Sequence, residues 1–182
     1  MKEKVALEIG QKAPSFQLKG VDGKTYTLEM FRDAKAVALI FMCNHCPYVQ
    51  AYIDRLISLQ NDYADQGVRF VSINSNETKN YPEDSFENMV RWAEERKFPF
   101  PYLRDETQEM ATAYGANRTP EIFLLDSSFR VCYHGGVDDN YQNPKEVREH
   151  YLRDAIEDLL QKGSVSHTTS RTIGCTIKWA SF

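Results

Sequence analysis

Apolar residues fall along this chain in patterns of different period. Ala36 to Met42 (AVALIFM) carries neither charge nor alternation, which predicts a strand buried on both faces of a layered α/β sheet. Val49, Tyr52, Ile53, Leu56, Leu59 and Tyr63 then recur every three or four residues, one stripe on a long helix. Pro47 suits the first turn of that helix and Gly67 its end. Before them, Ser15 to Leu18 and Thr25 to Leu28 alternate around Asp22-Gly23, a hairpin with a tight bend.

Later segments carry the same kinds of signal. Val68 to Asn74 predicts a strand, and Pro82 opens a helix with Phe86, Met89, Val90 and Ala93 on its apolar side. Tyr102-Leu103 is a very short strand at best, and Asp105 or Thr107 caps a brief helix that Gly115 closes. Glu121 to Asp126 and Arg130 to His134, joined at Ser127-Ser128, read as an antiparallel pair. Asn143-Pro144 starts a last helix through Leu159, ended by Lys162-Gly163. The order implies a central mixed sheet with helices on both faces and an N-terminal β-hairpin extension, in a single domain over 1–182. Residues 164–182 form a tail whose Ile177 and Trp179 pack it on the body.

Composition narrows the class. Hydrophobic residues make up 42% and charged residues 26% of 182, and the net charge is −4. That is a soluble globular protein with no electrostatic footprint for nucleic acid or an anionic membrane. No run reaches membrane-spanning length, and MKEKVALEIGQKAPSF lacks the apolar core of a signal peptide. A cytoplasmic location is expected, where a close cysteine pair is catalytic, redox-active or metal-binding rather than a structural staple.

Cys43-Asn44-His45-Cys46 lies between the buried strand and the long helix. A structural zinc site wants four ligands, and no second Cys-x-x-Cys exists; no metal and no cofactor is expected. At a helix N-terminus, unsatisfied N–H groups stabilise thiolate, and the second sulfur resolves a mixed disulfide. Cys43 reads as the attacker at the exposed lip of the helix, Cys46 as the sulfur in its first turn, and His45 either as a donor that favours thiolate or as a solvent-exposed loop imidazole. Thr119-Pro120, just before a strand, is either a stop signal or, if cis, a turn beside the cysteines. Cys175, in Gly174-Cys175-Thr176-Ile177, is either a third redox thiol, acting in cis or across a dimer, or a small buried hydrophobe. Cys132 reads as core filler, Asp138-Asp139 as a solvated turn rather than a divalent-cation loop, and Tyr48 as a border of the thiol pocket.

These motifs together resemble the thioredoxin superfamily. The pair with Pro47 and Arg118-Thr119-Pro120 carry that likeness. Gly10-x-x-Ala13-Pro14-x-Phe16-x-Leu18 and Asp22-Gly23-Lys24 resemble the redoxin branch with the alkyl hydroperoxide reductase/thiol-specific antioxidant proteins. The resemblance implies a thioredoxin-like fold, a cis Pro120 opposite the cysteines, and thiol–disulfide oxidoreductase activity. It implies as partners a disulfide-bearing protein or small-thiol substrate and an external reductant such as a thioredoxin system. Met42 and Asn44-His45 replace the thioredoxin tryptophan and Gly-Pro, and Val37 to Met42 offers no buried acid. On the peroxiredoxin pattern Cys46 takes the peroxidatic place and Cys43 that of a threonine, so hydroperoxide is the alternative substrate, with Arg118 either its activating charge or a solvated loop arginine.

Overall fold

The computed structural model describes residues 3–181. Strands β1 (Gln17–Gly20) and β2 (Thr25–Thr27) form the expected hairpin, with Gly23 at φ 81° in the bend. The body then runs β3 (Ala36–Phe41), α1 (Pro47–Tyr63), β4 (Val68–Asn74), α2 (Phe86–Arg96), β5 (Tyr102–Arg104) and α3 (Glu109–Tyr114). It continues through β6 (Arg118–Thr119), β7 (Glu121–Asp126), β8 (Val131–Gly135), α4 (Tyr151–Lys162) and β9 (Cys175–Thr176). Seven strands form one sheet in the order β2-β1-β5-β4-β3-β7-β8. The β3-β4-β5 pairings are parallel, while β7, β8 and the N-terminal hairpin join antiparallel. This is a thioredoxin-like mixed sheet with an added hairpin. Among the described residues, no helix is long and apolar enough to cross a membrane.

Strand β3 is central, and every residue in it is buried. Its period of two sends Ala36, Ala38 and Ile40 into one core with α1, α2 and α4, and Val37, Leu39 and Phe41 into the other with α3 and the N-terminal segment. All six residues of the predicted α1 stripe are buried. Covered on both sides, β3 has no face for a polar residue, and its end is a fixed platform for the turn that carries the cysteines.

Two helix starts differ from expectation, and the first of them places a buried acid. Pro82 begins only a single turn, Pro82–Asp84. Ser85 is extended and caps α2 by accepting from Asn88 N at 3.3 Å. The break turns Asp84 inward. Likewise Pro144 starts one turn that stops at Glu146, and α4 begins at Tyr151. Asp139 holds the intervening segment back, its carboxylate accepting from Arg148 N at 2.9 Å and its own N–H donating to Glu149 O at 3.2 Å. Asp138, expected in a solvated turn, is instead buried: both of its oxygens take Arg55 Nη1, at 3.0 and 2.8 Å. In the third helix the cap is Asp105, four residues upstream, whose carboxylate accepts from Met110 N and Ala111 N.

Candidate active site

β3 ends at Phe41 and α1 begins at Pro47, so residues 42–46 turn the chain from sheet to helix. Cys46 has the extended backbone of an N-cap (φ −68°, ψ 122°), with proline just inside the helix. Both sulfurs therefore lie at the amide-rich end of α1, where the dipole favours an anion. The Thr119–Pro120 bond is cis, and Thr119 closes the turn from the opposite side. Its hydroxyl is 3.6 Å from Cys43 Sγ, and its carbonyl oxygen accepts from Cys46 Sγ at 3.3 Å. Cys43 is 1% and Cys46 0% exposed. The exposed lip expected at Cys43 does not exist, because Cys43 packs into the core with Cys46 and α1 and Thr119 closes over its sulfur.

The negative charge of the pair belongs on Cys46. Its pKa lies well below that of an ordinary thiol, first because the Cys43 thiol donates to it. Burial opposes this; the Cys175 thiol, the Val49 N–H and the Thr119 hydroxyl reinforce it. The Val49 N–H falls short of a regular cap hydrogen bond and acts through its dipole. The Thr119 carbonyl works against the thiolate, since it accepts only from a protonated sulfur, but the surrounding donors outweigh it. Cys43 is pushed the other way, by the same hydrogen bond to Cys46, by burial and by the charge of Asp84.

Asp84 is the site residue that the sequence hid. β3 offers no acid, and the turn before α2 supplies one. Its side chain is fully buried, with Oδ1 accepting from Asn44 N at 2.6 Å and Asn74 Nδ2 at 3.3 Å. Oδ2 accepts from Asn76 Nδ2 at 2.9 Å and pairs with His45 Nδ1 at 2.5 Å. His45 also stacks on Tyr81, with ring centroids 5.6 Å apart. Ligand atoms of Cys43, His45 and Asp84 lie within 4.8 Å of one another. That donor set suits a hydrogen-bonded network better than a cation, because Asp84 already takes four donors and three mixed ligands fall short of a structural zinc set.

The structure brings five of the six predicted residues to one place: Cys43, His45, Cys46, Pro120 and Cys175. Arg118 is the exception. Its guanidinium donates to Glu3 Oε1 at 3.0 Å and to Gly174 O at 3.4 Å, and none of its hydrogen bonds reaches a sulfur. It ties the tail to the N-terminal segment. Cys175 lies on β9, which pairs antiparallel with β6 and sets Cys175 opposite Thr119. Cys132 is half-buried, donates to Leu124 O at 3.2 Å and has its pKa pushed up to about 12 by burial, as suits a filler. Tyr48 packs on Tyr141, centroids 4.7 Å apart.

A dithiol at the N-terminus of the first long helix of this sheet, facing a cis-proline turn, defines a thiol–disulfide oxidoreductase of the thioredoxin superfamily. Within it the chain belongs to the AhpC/TSA family, whose model matches residues 9–135. Thiol-disulfide oxidoreductase ResA of Geobacillus thermodenitrificans is 30% identical over 132 residues, 71% of this chain and 70% of that protein. Two solved structures match nearly end to end. One is a hypothetical protein, SMc02350, from Sinorhizobium meliloti 1021 (38% identity, TM-score 0.91, 98% of both chains). The other is an uncharacterized conserved protein from Geobacillus kaustophilus (42% identity, TM-score 0.90, 98% of this chain and 96% of that one). The relatives also correct the expected location. ResA-type oxidoreductases are periplasmic or membrane-anchored, so the cytoplasmic expectation is overturned. The N-terminal composition on which it rested says nothing of compartment. The chemistry itself is exchange with thiol or disulfide partners and an external reductant.

Proposed function

We propose that the chain acts as one unit over 1–182 in which Cys46 is the attacking thiolate and Cys43 the resolving thiol. What supports this is the surroundings of the pair, which favour the anion at Cys46, while Cys43 is kept protonated by its hydrogen bond to Cys46, by burial and by the charge of Asp84. Cys46 attacks a substrate disulfide, forming a mixed disulfide and releasing one substrate thiolate. Cys43 then attacks Cys46 Sγ and expels the second substrate thiolate. The Cys43 proton passes to the His45–Asp84 pair, which lies beside it. Thr119, ahead of the cis Pro120, orients both sulfurs through its hydroxyl and carbonyl. The substrate is a disulfide-bearing protein or small disulfide, and an external dithiol such as a thioredoxin system restores the reduced form.

The test is reduction of insulin and of a small aromatic disulfide. Cys46→Ser is expected to fall to background. Cys43→Ser paired with Cys175→Ser should trap a mixed disulfide at Cys46. A trap that maps to Cys43 in the Cys46→Ser protein, with none at Cys46, reverses the roles. One observation favours a second substrate: with both sulfurs sealed, a hydroperoxide reaches Cys46 more readily than a protein does. Attack would give a sulfenic acid at Cys46 and an alcohol, and Cys43 would resolve it with loss of water. Thiol-dependent turnover of hydrogen peroxide, lost in Cys46→Ser, supports that reading, and its absence in the wild type excludes it.

A further inference from the structure

The C-terminal tail forms a wall of the active site. β9 is a two-residue strand paired to β6 alone, outside the main sheet. Its position is tightly constrained. A Cβ at Gly174 would lie 2.2 Å from Thr119 O and 3.3 Å from Pro120 N, so only glycine passes the proline turn this closely. Beyond Cys175 the strand is pinned: Ile177 is buried and donates its N–H to Asn117 O at 2.9 Å, and Lys178 O accepts from Glu77 N at 2.9 Å. Lys178 N donates to Asn76 Oδ1 at 2.9 Å, and Asn76 also holds Asp84. The register thus fixes Cys175 opposite Thr119, the residue in contact with both dithiol sulfurs.

Cys175 differs from the pair in access. It is half-buried, whereas Cys43 and Cys46 are sealed. A disulfide closed between Cys43 and Cys46 offers a reductant less access than one that includes a half-buried sulfur. A half-exposed thiol packed against the cluster that holds Cys46, and paired opposite Thr119, offers a way out.

We propose that Cys175 is a third redox thiol that takes Cys46 from the Cys43–Cys46 disulfide and moves the disulfide to the rim. The step rests on the dithiol chemistry proposed for Cys46 and Cys43. Cys175 Sγ bonds to Cys46 Sγ, the Cys46–Cys43 bond breaks, and Cys43 leaves as thiolate and takes up the proton that Cys175 lost. Two sulfurs are oxidised before and after, so no outside oxidant is needed. In the reduced state the Cys175 pKa is pushed up to about 11, by burial first and then by its hydrogen bond to the Cys46 thiolate and by that charge. Once Cys46 is in a disulfide its charge is gone and that hold relaxes.

The experiment is disulfide mapping of the full-length chain by mass spectrometry, after one equivalent of diamide and alkylation of free thiols. The wild type should give both Cys43–Cys46 and Cys46–Cys175 links within one chain, in a ratio independent of protein concentration. Cys43→Ser should give the Cys46–Cys175 link alone, and Cys43→Ala repeats the test with a different side chain. Cys175→Ser should keep the Cys43–Cys46 link, while its reduction by thioredoxin slows on the order of tenfold. A wild type that closes Cys43–Cys46 but never Cys46–Cys175 overturns this inference and leaves the dithiol reading standing. So does a Cys46–Cys175 link found only between two chains. A wild type that closes no Cys43–Cys46 link overturns both.

Discussion

Two buried acids, Asp84 and Asp138, fasten loops to the same helix, and they do so with opposite kinds of partner. Asp138 meets Arg55 of α1 in an ion pair whose side chains are 5% and 14% exposed, and it also accepts from the Tyr52 hydroxyl at 3.0 Å. Arg55 further donates to Asn140 O and Tyr141 O, so one guanidinium pins the whole 138–141 loop. Its charge is permanent. Asp84 sits at the N-terminal end of α1 and is held by three amide donors and one imidazole, His45. Among the described residues no permanent cation pairs with it, and its field reaches Cys43. A buried carboxylate matched by a fixed charge is structural, while one matched by neutral dipoles and a titratable ring can tune chemistry.

The largest effect that would break this contrast is on stability at Asp138. Asp138→Ala leaves Arg55 buried without a counter-charge and the Tyr52 hydroxyl without an acceptor. Urea unfolding should show a loss of about 3 to 5 kcal/mol, with the dithiol potential unchanged. A loss no larger than that of an exposed bridge, under about 1 kcal/mol, would remove Asp138 from its structural role.

Asp84→Asn should cost less stability, about 1 to 3 kcal/mol, because the donors of Asn44, Asn74 and Asn76 keep part of their hydrogen bonding. Its larger effect is on the thiols. The Asp84 charge helps keep Cys43 neutral until pH rises through its raised pKa. Without that charge Cys43 ionises at lower pH, the reduced dithiol gains stability, and the potential becomes less negative by on the order of 30 mV. Thiolate ultraviolet absorbance against pH and equilibration with glutathione read the two shifts. If Asp138→Ala moves the potential and Asp84→Asn does not, the two roles are interchanged.

The smallest effect is at His45. His45→Gln keeps an N–H donor in range of Asp84 and loses the stack on Tyr81, so stability should change by less than about 1 kcal/mol. The readout is the rate of the resolving step in stopped-flow, which should fall while formation of the mixed disulfide keeps its rate. An unchanged resolving rate would remove His45 from proton handling and leave it as a strut for Asp84.

Much of the fold was legible along the chain, because it is local. The seven-residue run Ala36 to Met42 carries enough uniform hydrophobicity to be central in any packing, and the α1 stripe and the Asp22-Gly23 bend come from period and turn chemistry alone. Cys43-x-x-Cys46 between strand and helix marked the chemistry for the same reason. The Pro82 and Pro144 helix starts failed because a proline licenses a first turn without extending it. The cap at Ser85 and the hold of Asp139 on Arg148, nine residues away, decided where each helix began. Exposure of Cys43 and the aim of Arg118 failed too, since both depend on which neighbours cover or bind them.

The sequence by itself determined a buried strand leading into a dithiol and a helix, and with them a thiol–disulfide oxidoreductase. Both arise from contacts between near neighbours. Only the tertiary structure decided what surrounds the two sulfurs, because Asp84, Thr119 and Cys175 reach the pair from 38, 73 and 129 residues beyond Cys46. Hydrogen bonding and Coulomb interaction act through space, and no spacing along the chain encodes them.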